Sequence, residues 1–173
     1  MAYSITIQIG KIEGESVGVG PATKLTGAKP HAGEIDVLSW NWGIVQTASA
    51  HSGSGGGTGT ADVKDLTITK FVDKATPTLL SECFKGNAQA AKEKGVGAVL
   101  TVFKVTGDDA LEFVVIKLMG TVLISSVNTG TPLPNDRYGE TVSLNFSKAT
   151  FEYKLQAADN TAGAPNLKEF NIA

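Results

Sequence analysis

Apolar and polar residues alternate from the start of the chain: Tyr3, Ile5, Ile7 and Ile9 take one side, Ser4, Thr6, Gln8 and Gly10 the other. A period of two is a strand with one apolar face. Glycine, proline and polar residues punctuate 11–33 too often for a long regular element, so this stretch predicts a loop. A second strand covers 34–44. Within its "VLSWNWG" the alternation puts Leu38, Trp40 and Trp42 on one face and Val37, Ser39 and Asn41 on the other. Residues 51–60, "HSGSGGGTGT", carry little apolar surface to offset the entropy of ordering and predict an exposed, mobile loop.

A third strand centres on 66–71, and the pattern then changes to a helical one. In "TPTLLSECFKG" Thr76 can cap free amides, Pro77 suits the first helical turn, and Leu79, Leu80, Cys83 and Phe84 have the three-and-four spacing of one buried face, with Gly86 as terminator. The following "NAQAAKEKG" extends that helix or makes a second short one. Strands resume over 98–105 and 111–118. The latter is apolar at both parities, Phe113 and Val115 against Val114, Ile116 and Leu118, which predicts a second layer or a subunit contact over its outer side. Gly120 predicts a bend or bulge before "TVLISSV", and "NTGTPLPNDRYG" a loop. In the last strong strand, "ETVSLNFSKATFEYKLQ", Val142, Leu144 and Phe146 are out of phase with Phe151, Tyr153 and Leu155, so a bulge is expected over 147–149. A short strand in "KEFNIA" completes the series. Leu38, Trp40, Trp42, Leu66, Ile68, Leu80, Phe84, Phe146, Phe151 and Tyr153 are the core candidates.

Composition adds limits. The 173 residues fit one domain, 1–173, large enough to bury a core without metals or disulfides. A net charge of −2 with scattered lysines and arginines supplies no field for nucleic acid or an anionic membrane. Cys83 is the one cysteine, which excludes an internal disulfide and suits a small core residue. The first ten residues lack the pattern of a cleaved secretory signal, and Glu112 and Lys117 interrupt the longest apolar run, so neither a conventional leader nor stable membrane insertion is expected.

Candidate chemistry is sparse. His31 and His51 both fall in predicted loops without a metal-ligand array, Ser54 lacks the flanks of a nucleophile elbow, and Asp108 and Asp109 read as turn residues. The glycine-rich stretch lacks the lysine of a phosphate loop. No cofactor and no enzymatic activity are expected. Trp40 and Trp42 leave two readings open, a core or interface anchor and a small-ligand platform for a carbohydrate or peptide.

Four motifs in order, "EIDVLSWNWG", "DLTITKFVDKATPTLL", "SSVNTG" and "ETVSLNFSKATFEY", resemble the Hcp family, the tube proteins of type VI secretion systems. The resemblance runs through nearly the whole chain. It implies a mainly β fold, a small β-barrel of two packed antiparallel sheets with a flanking α-helix, similar to phage tail tube proteins. It further implies a homohexameric ring with a wide channel, stacked on copies of itself, propelled by a contractile sheath behind a spike protein, and able to carry small effector proteins. The protein would be cytoplasmic before assembly and secreted through the apparatus. On this resemblance Trp40 and Trp42 are structural, and the loop residues His51, Ser52, Gly53, Ser54, Gly55, Gly56, Gly57 and Thr58 are candidates for ring stacking. The segments "VGPATKLTGAKP" and "KGNAQAAKEKGVG" are longer than the common family pattern.

Overall fold

The first strand, β1 (Ala2–Ile9), turns its alternation into burial: Ile7 and Ile9 are wholly inaccessible, while Tyr3 at its start stays exposed. The computed structural model describes residues 2–19, 30–46, 60–106, 109–134, 136–156 and 162–172. Around β1 the chain lays β2 (Ile35–Asp36), β3 (Ser39–Asn41), β6 (Leu66–Phe71), β7 (Val96–Thr106), β8 (Asp109–Leu133), β9 (Arg137–Gln156) and β10 (Ala162–Asn171), with β4 (Ile44–Gln46) and β5 (Ala61–Val63) as a separate two-stranded ribbon. The large sheet runs β2-β1-β7-β8-β9-β6-β3, with β10 on the second half of β9, and every pairing is antiparallel.

The two ends of that order, β2 and β3, are neighbours in the chain. Val37 N–H donates to Ile5 of β1 at 2.9 Å, and the next residue, Leu38, donates to Thr69 of β6 at 2.8 Å. One short segment thus pairs with both edges and curls the sheet into a barrel. The interior is filled by Ile7, Ile35, Leu66, Ile68, Leu100, Ile116, Leu118, Leu144 and their neighbours. Fold class and antiparallel barrel agree with the expectation.

The single strand expected over 34–44 is instead three pieces, because the segment changes partner at Val37. The inward phase slips there: Ile35 and Val37 are buried, Leu38 is exposed, and Trp40 and Trp42 are half-buried against the core. Leu38 is therefore not a core residue. Tyr153 is also exposed, since it lies where β9 runs beyond the filled part of the barrel, whereas Leu66, Ile68 and Phe146 are buried and Phe151 packs partly.

The helix, α1 (Thr76–Lys85), begins at Ala75 rather than at a Thr76 cap, has Pro77 in its first turn, and ends at Gly86, whose φ of 64° is the left-handed conformation glycine adopts without strain. Ala75, Thr76 and Leu79 face the barrel and Cys83 packs partly against it, but Leu80 and Phe84 do not. The four apolar positions form two stripes about 100° apart, 79/83 and 80/84. A ten-residue helix lying on a barrel buries only one of them. Residues 87–95 continue as neither helix nor strand.

Past Gly120 (φ 71°) the ladder shifts: Gly120 and Thr121 of β8 face Ser147 alone, and Ser147 Oγ accepts the Thr121 N–H at 3.0 Å. The phase of β9 changes across this point, from buried Phe146 to buried Ala149, where the pattern placed it. The loop expected over 128–139 is mostly strand. β8 and β9 stay paired to Leu133 and Arg137, because Thr129, Thr131 and Leu133 find cross-strand partners despite Pro132 and Pro134.

A polar plug fixes α1 to the barrel. Lys70 of β6 points inward, is completely buried, and donates to Glu140 Oε1, Asp73 Oδ1 and the Phe71 carbonyl, each at 2.7 Å. Thr76 Oγ1 donates to the same Glu140 oxygen at 3.0 Å and accepts the Asp73 N–H at 3.1 Å. Removing one member of a buried ion pair costs about 3–5 kcal/mol, while replacing the pair with apolar groups can be neutral. Lys70→Met is therefore expected to lower the unfolding free energy by about 3–5 kcal/mol, and Lys70→Met/Glu140→Leu by clearly less. Urea unfolding of both variants checks this; equal losses would show that the pair is not the anchor.

Candidate functional site

The tryptophans are placed by aromatic contacts. Trp40 lies 6.5 Å from Phe151, centroid to centroid, and Trp42 meets Phe146 edge-on at 5.7 Å, Phe151 stacked at 6.5 Å and Phe170 edge-on at 5.4 Å. These distances are those of favourable aromatic pairs. Trp42 thereby joins β9 to the tail strand β10. Its indole N–H is buried and has no acceptor among the described residues. A ligand platform needs open ring faces with polar groups converging on them; here phenylalanines pack against both half-buried rings, three on Trp42 and one on Trp40.

The outer side of the barrel carries a second layer. Residues 11–19 and 30–34 form a strap whose two pieces are pinned to each other by Gly14 N–H to Gly33 at 2.8 Å, Ser16 N–H to Glu34 at 3.0 Å and Gly33 N–H to Ser16 at 2.9 Å. Beneath it lie buried outward residues, Thr6 of β1 and Phe103 of β7 among them. His31, held at φ 61°, packs its ring edge-on to Phe103 at 4.7 Å. Its Nδ1 lies 2.9 Å from Glu34 Oε1 and its Nε2 3.5 Å from Glu112 Oε1, while Glu34 Oε2 accepts from Thr6 Oγ1 at 2.7 Å and Glu112 Oε2 from Lys154 Nζ at 3.2 Å. The carboxylates of Glu112 and Glu34 raise the His31 pKa to about 9. Glu112 is lowered to about 2, first by His31 and then by Lys154. The two-sided apolar strand is thus partly explained by a layer from the same chain. Sequence reading missed His31 because its partners come from strands distant in the chain.

Two features remain uncovered. Tyr3, Phe113 and Tyr153 form a row with centroids 5.5 and 6.4 Å apart, and Leu155 beyond them is exposed. This row continues the inward face of the barrel into solvent. The outer edge of β8 from Thr121 to Leu133 and the outer edge of β10 have no strand partner among the described residues. Residues 51–58, the stacking candidates, lie outside the described residues, as does Asp108. Among the described residues no group of three His, Cys, Asp or Glu side chains could hold a metal ion, and no helix is long and apolar enough to cross a membrane.

The family described as "Type VI secretion system effector, Hcp" matches residues 7–153. Protein hcp1 of Pseudomonas aeruginosa is 40% identical over 173 residues, covering 99% of this chain and 96% of its own. A solved type six secretion system protein superposes with a TM-score of 0.79 at 26% identity, and Hcp1 from Salmonella typhimurium with 0.70 at 28%; each comparison covers 99% of this chain and 96% of the other.

The clamp on the strap has a defined pH window. Because the folded pKa of His31 is raised from 6.5 to about 9, its contribution is complete below 6.5 and lost as pH rises through 9. Glu112, lowered from 4.5 to about 2, contributes above 4.5 and loses that contribution as pH falls towards 2. His31→Gln should raise hydrogen exchange at Gly14, Ser16 and Gly33 at pH 6 by roughly fivefold, the scale of a partly exposed ion pair. The difference from wild type should shrink above pH 9. Equal protection at pH 6 would refute the clamp.

Proposed function

The chain belongs to the Hcp family of the type VI secretion system, and we propose that its 173 residues act as one structural unit of that system's inner tube. Six copies close into a ring around a wide channel, the rings stack, and the stack is driven outward behind a spike by a contractile sheath. The protein is made in the cytoplasm and leaves through the apparatus, with small effector proteins as cargo of the channel.

The observation that carries this reading is the pair of open strand edges on one protomer. β8 beyond Gly120 and the outer side of β10 are long, unlike in sequence, and unpaired among the described strands. Isolated soluble domains keep such edges short or covered, because they template pairing with another chain. Unlike edges on one subunit suit a heterologous contact, the kind that generates a ring when its rotation closes. Exposed Tyr3 and Tyr153, joined through half-buried Phe113, add apolar area that a neighbour can cover.

Light scattering and native mass spectrometry at micromolar concentration should give six times the subunit mass. A strict monomer at all concentrations would refute the ring. Residues 51–58 are assigned to contact between rings, an ordering that a partner must offset at about 1–2 kcal/mol per residue fixed. Deleting residues 53–57 should leave ring mass unchanged while shortening tubes seen by electron microscopy; tubes of normal length would remove that assignment.

A further inference from the structure

Phe84 is 93% exposed, the most exposed large apolar side chain on the described surface, and Leu80, one turn earlier, adds to the same uncovered stripe. Next to it Lys85 reaches solvent with only a 3.8 Å contact to Glu82. This corner of α1 lies on the side of the barrel where β1 ends: α1 and residues 89–90 share a cleft with Lys11 and Ile12, and Gly10 sits against Gln89. At the other end of β1 is a groove of about 360 Å³ between strand and strap, walled by Tyr3, Ile5, Val17 and Leu38 with Asp36 at its margin. Tyr3, Val17 and Leu38 are exposed, and Asp36 has no ion-pair partner among the described residues. From the groove at Tyr3–Ile5 to Gly10 beside the α1 cleft, β1 runs roughly 17–23 Å.

We propose that these two features are halves of one contact between copies of this chain: the Phe84 corner of one protomer seats in the Tyr3–Val17–Leu38 groove of the next, with Lys85 facing Asp36. The inference rests on the tube reading and names a contact within it. A single subunit cannot bring its own knob to its own groove across the barrel, so the match is head-to-tail and heterologous. Apolar filling is complemented by opposite charges at the rim, which set the register of docking. An aromatic knob entering a depression is the form that dominant interface residues take, and here apolar walls from Tyr3, Val17 and Leu38 alternate with Ser4, Ser16 and Asp36.

The test exploits the exposure of these side chains, which lets them change without disturbing the fold. Phe84→Asp and Val17→Asp should each leave the thermal unfolding of the subunit unchanged and raise the concentration for half-assembly at least tenfold. Lys85→Asp and Asp36→Lys should each weaken assembly, and the double exchange should restore it. In a Cys83→Ser background, Phe84→Cys with Val17→Cys should crosslink copies into a ladder on oxidation. A wild type that assembles while all these variants assemble equally and the cysteines fail to link overturns the contact alone. A wild type that never assembles overturns the tube reading and this contact with it.

Discussion

The barrel depends on one covalent bridge, the segment 35–41, whose backbone pairs with β1 at one end and β6 at the other. A curled sheet left open would expose long edges on both flanks. Here the change of partner between Val37 and Leu38 removes that pair of edges within seven residues. The bridge also dictates the burial of its own side chains: Val37 still belongs to the β1 phase and points in, and Leu38 is turned out by the change of partner. Trp40 and Trp42 then sit on the β6 and β9 side, where Phe146, Phe151 and Phe170 receive them. The tail strand is held in place by the Trp42 ring, which meets Phe170 edge-on.

A barrel closed in this way still needs its helix in one place, and the plug of Lys70, Glu140, Asp73 and Thr76 supplies that. Apolar contact alone through Ala75 and Leu79 would let a short helix slide, since hydrophobic burial has little directional preference. A buried ammonium donating to two carboxylates and a carbonyl is directional, and a buried ion pair is by itself weak evidence for added stability. Fixing α1 has an outward consequence. With the stripe at 79 and 83 committed to the barrel, the stripe at 80 and 84 must face away.

Much of the fold was legible because period-two alternation is a property of each strand by itself. β1, β6, the bulge at Gly120 and the left-handed Gly86 were all readable from local pattern, whereas the extra residue expected over 147–149 sits on β8, opposite Ser147. What was not legible depended on partners far away in the chain. Nothing in "EIDVLSWNWG" announces that its first half pairs with one strand and its second half with another, so one strand was expected where three occur and Leu38 was placed inside. Both stripes of α1 are apolar, and only the barrel decides between them. The hairpin over 128–139 was masked by its prolines and glycines, although two strands already paired for many residues can continue through such positions. His31 looked like a loop histidine, because Glu112 and Lys154 approach it only once β8 and β9 are side by side. The family, by contrast, was legible from four ordered motifs, and those motifs lie largely on the closure segment, β6 with the start of α1, and the β8–β9 hairpin.

On the proposed tube role the working parts are surfaces, and surfaces obey different rules from cores. A buried position is constrained by volume and polarity from all sides, which leaves a periodic trace in the sequence. An interface position is constrained only when a second copy arrives, so in the single chain it would show as an exception, as do Phe84 exposed on a helix, Tyr3 and Leu155 continuing an inward face into water, and strand edges without a strand partner among the described residues. Each exception costs the isolated subunit solubility. Their occurrence at different places on one barrel, rather than in a single self-matching patch, favours contacts between unlike surfaces. Such contacts repeat in one direction, and repetition in one direction is what a ring or a tube requires.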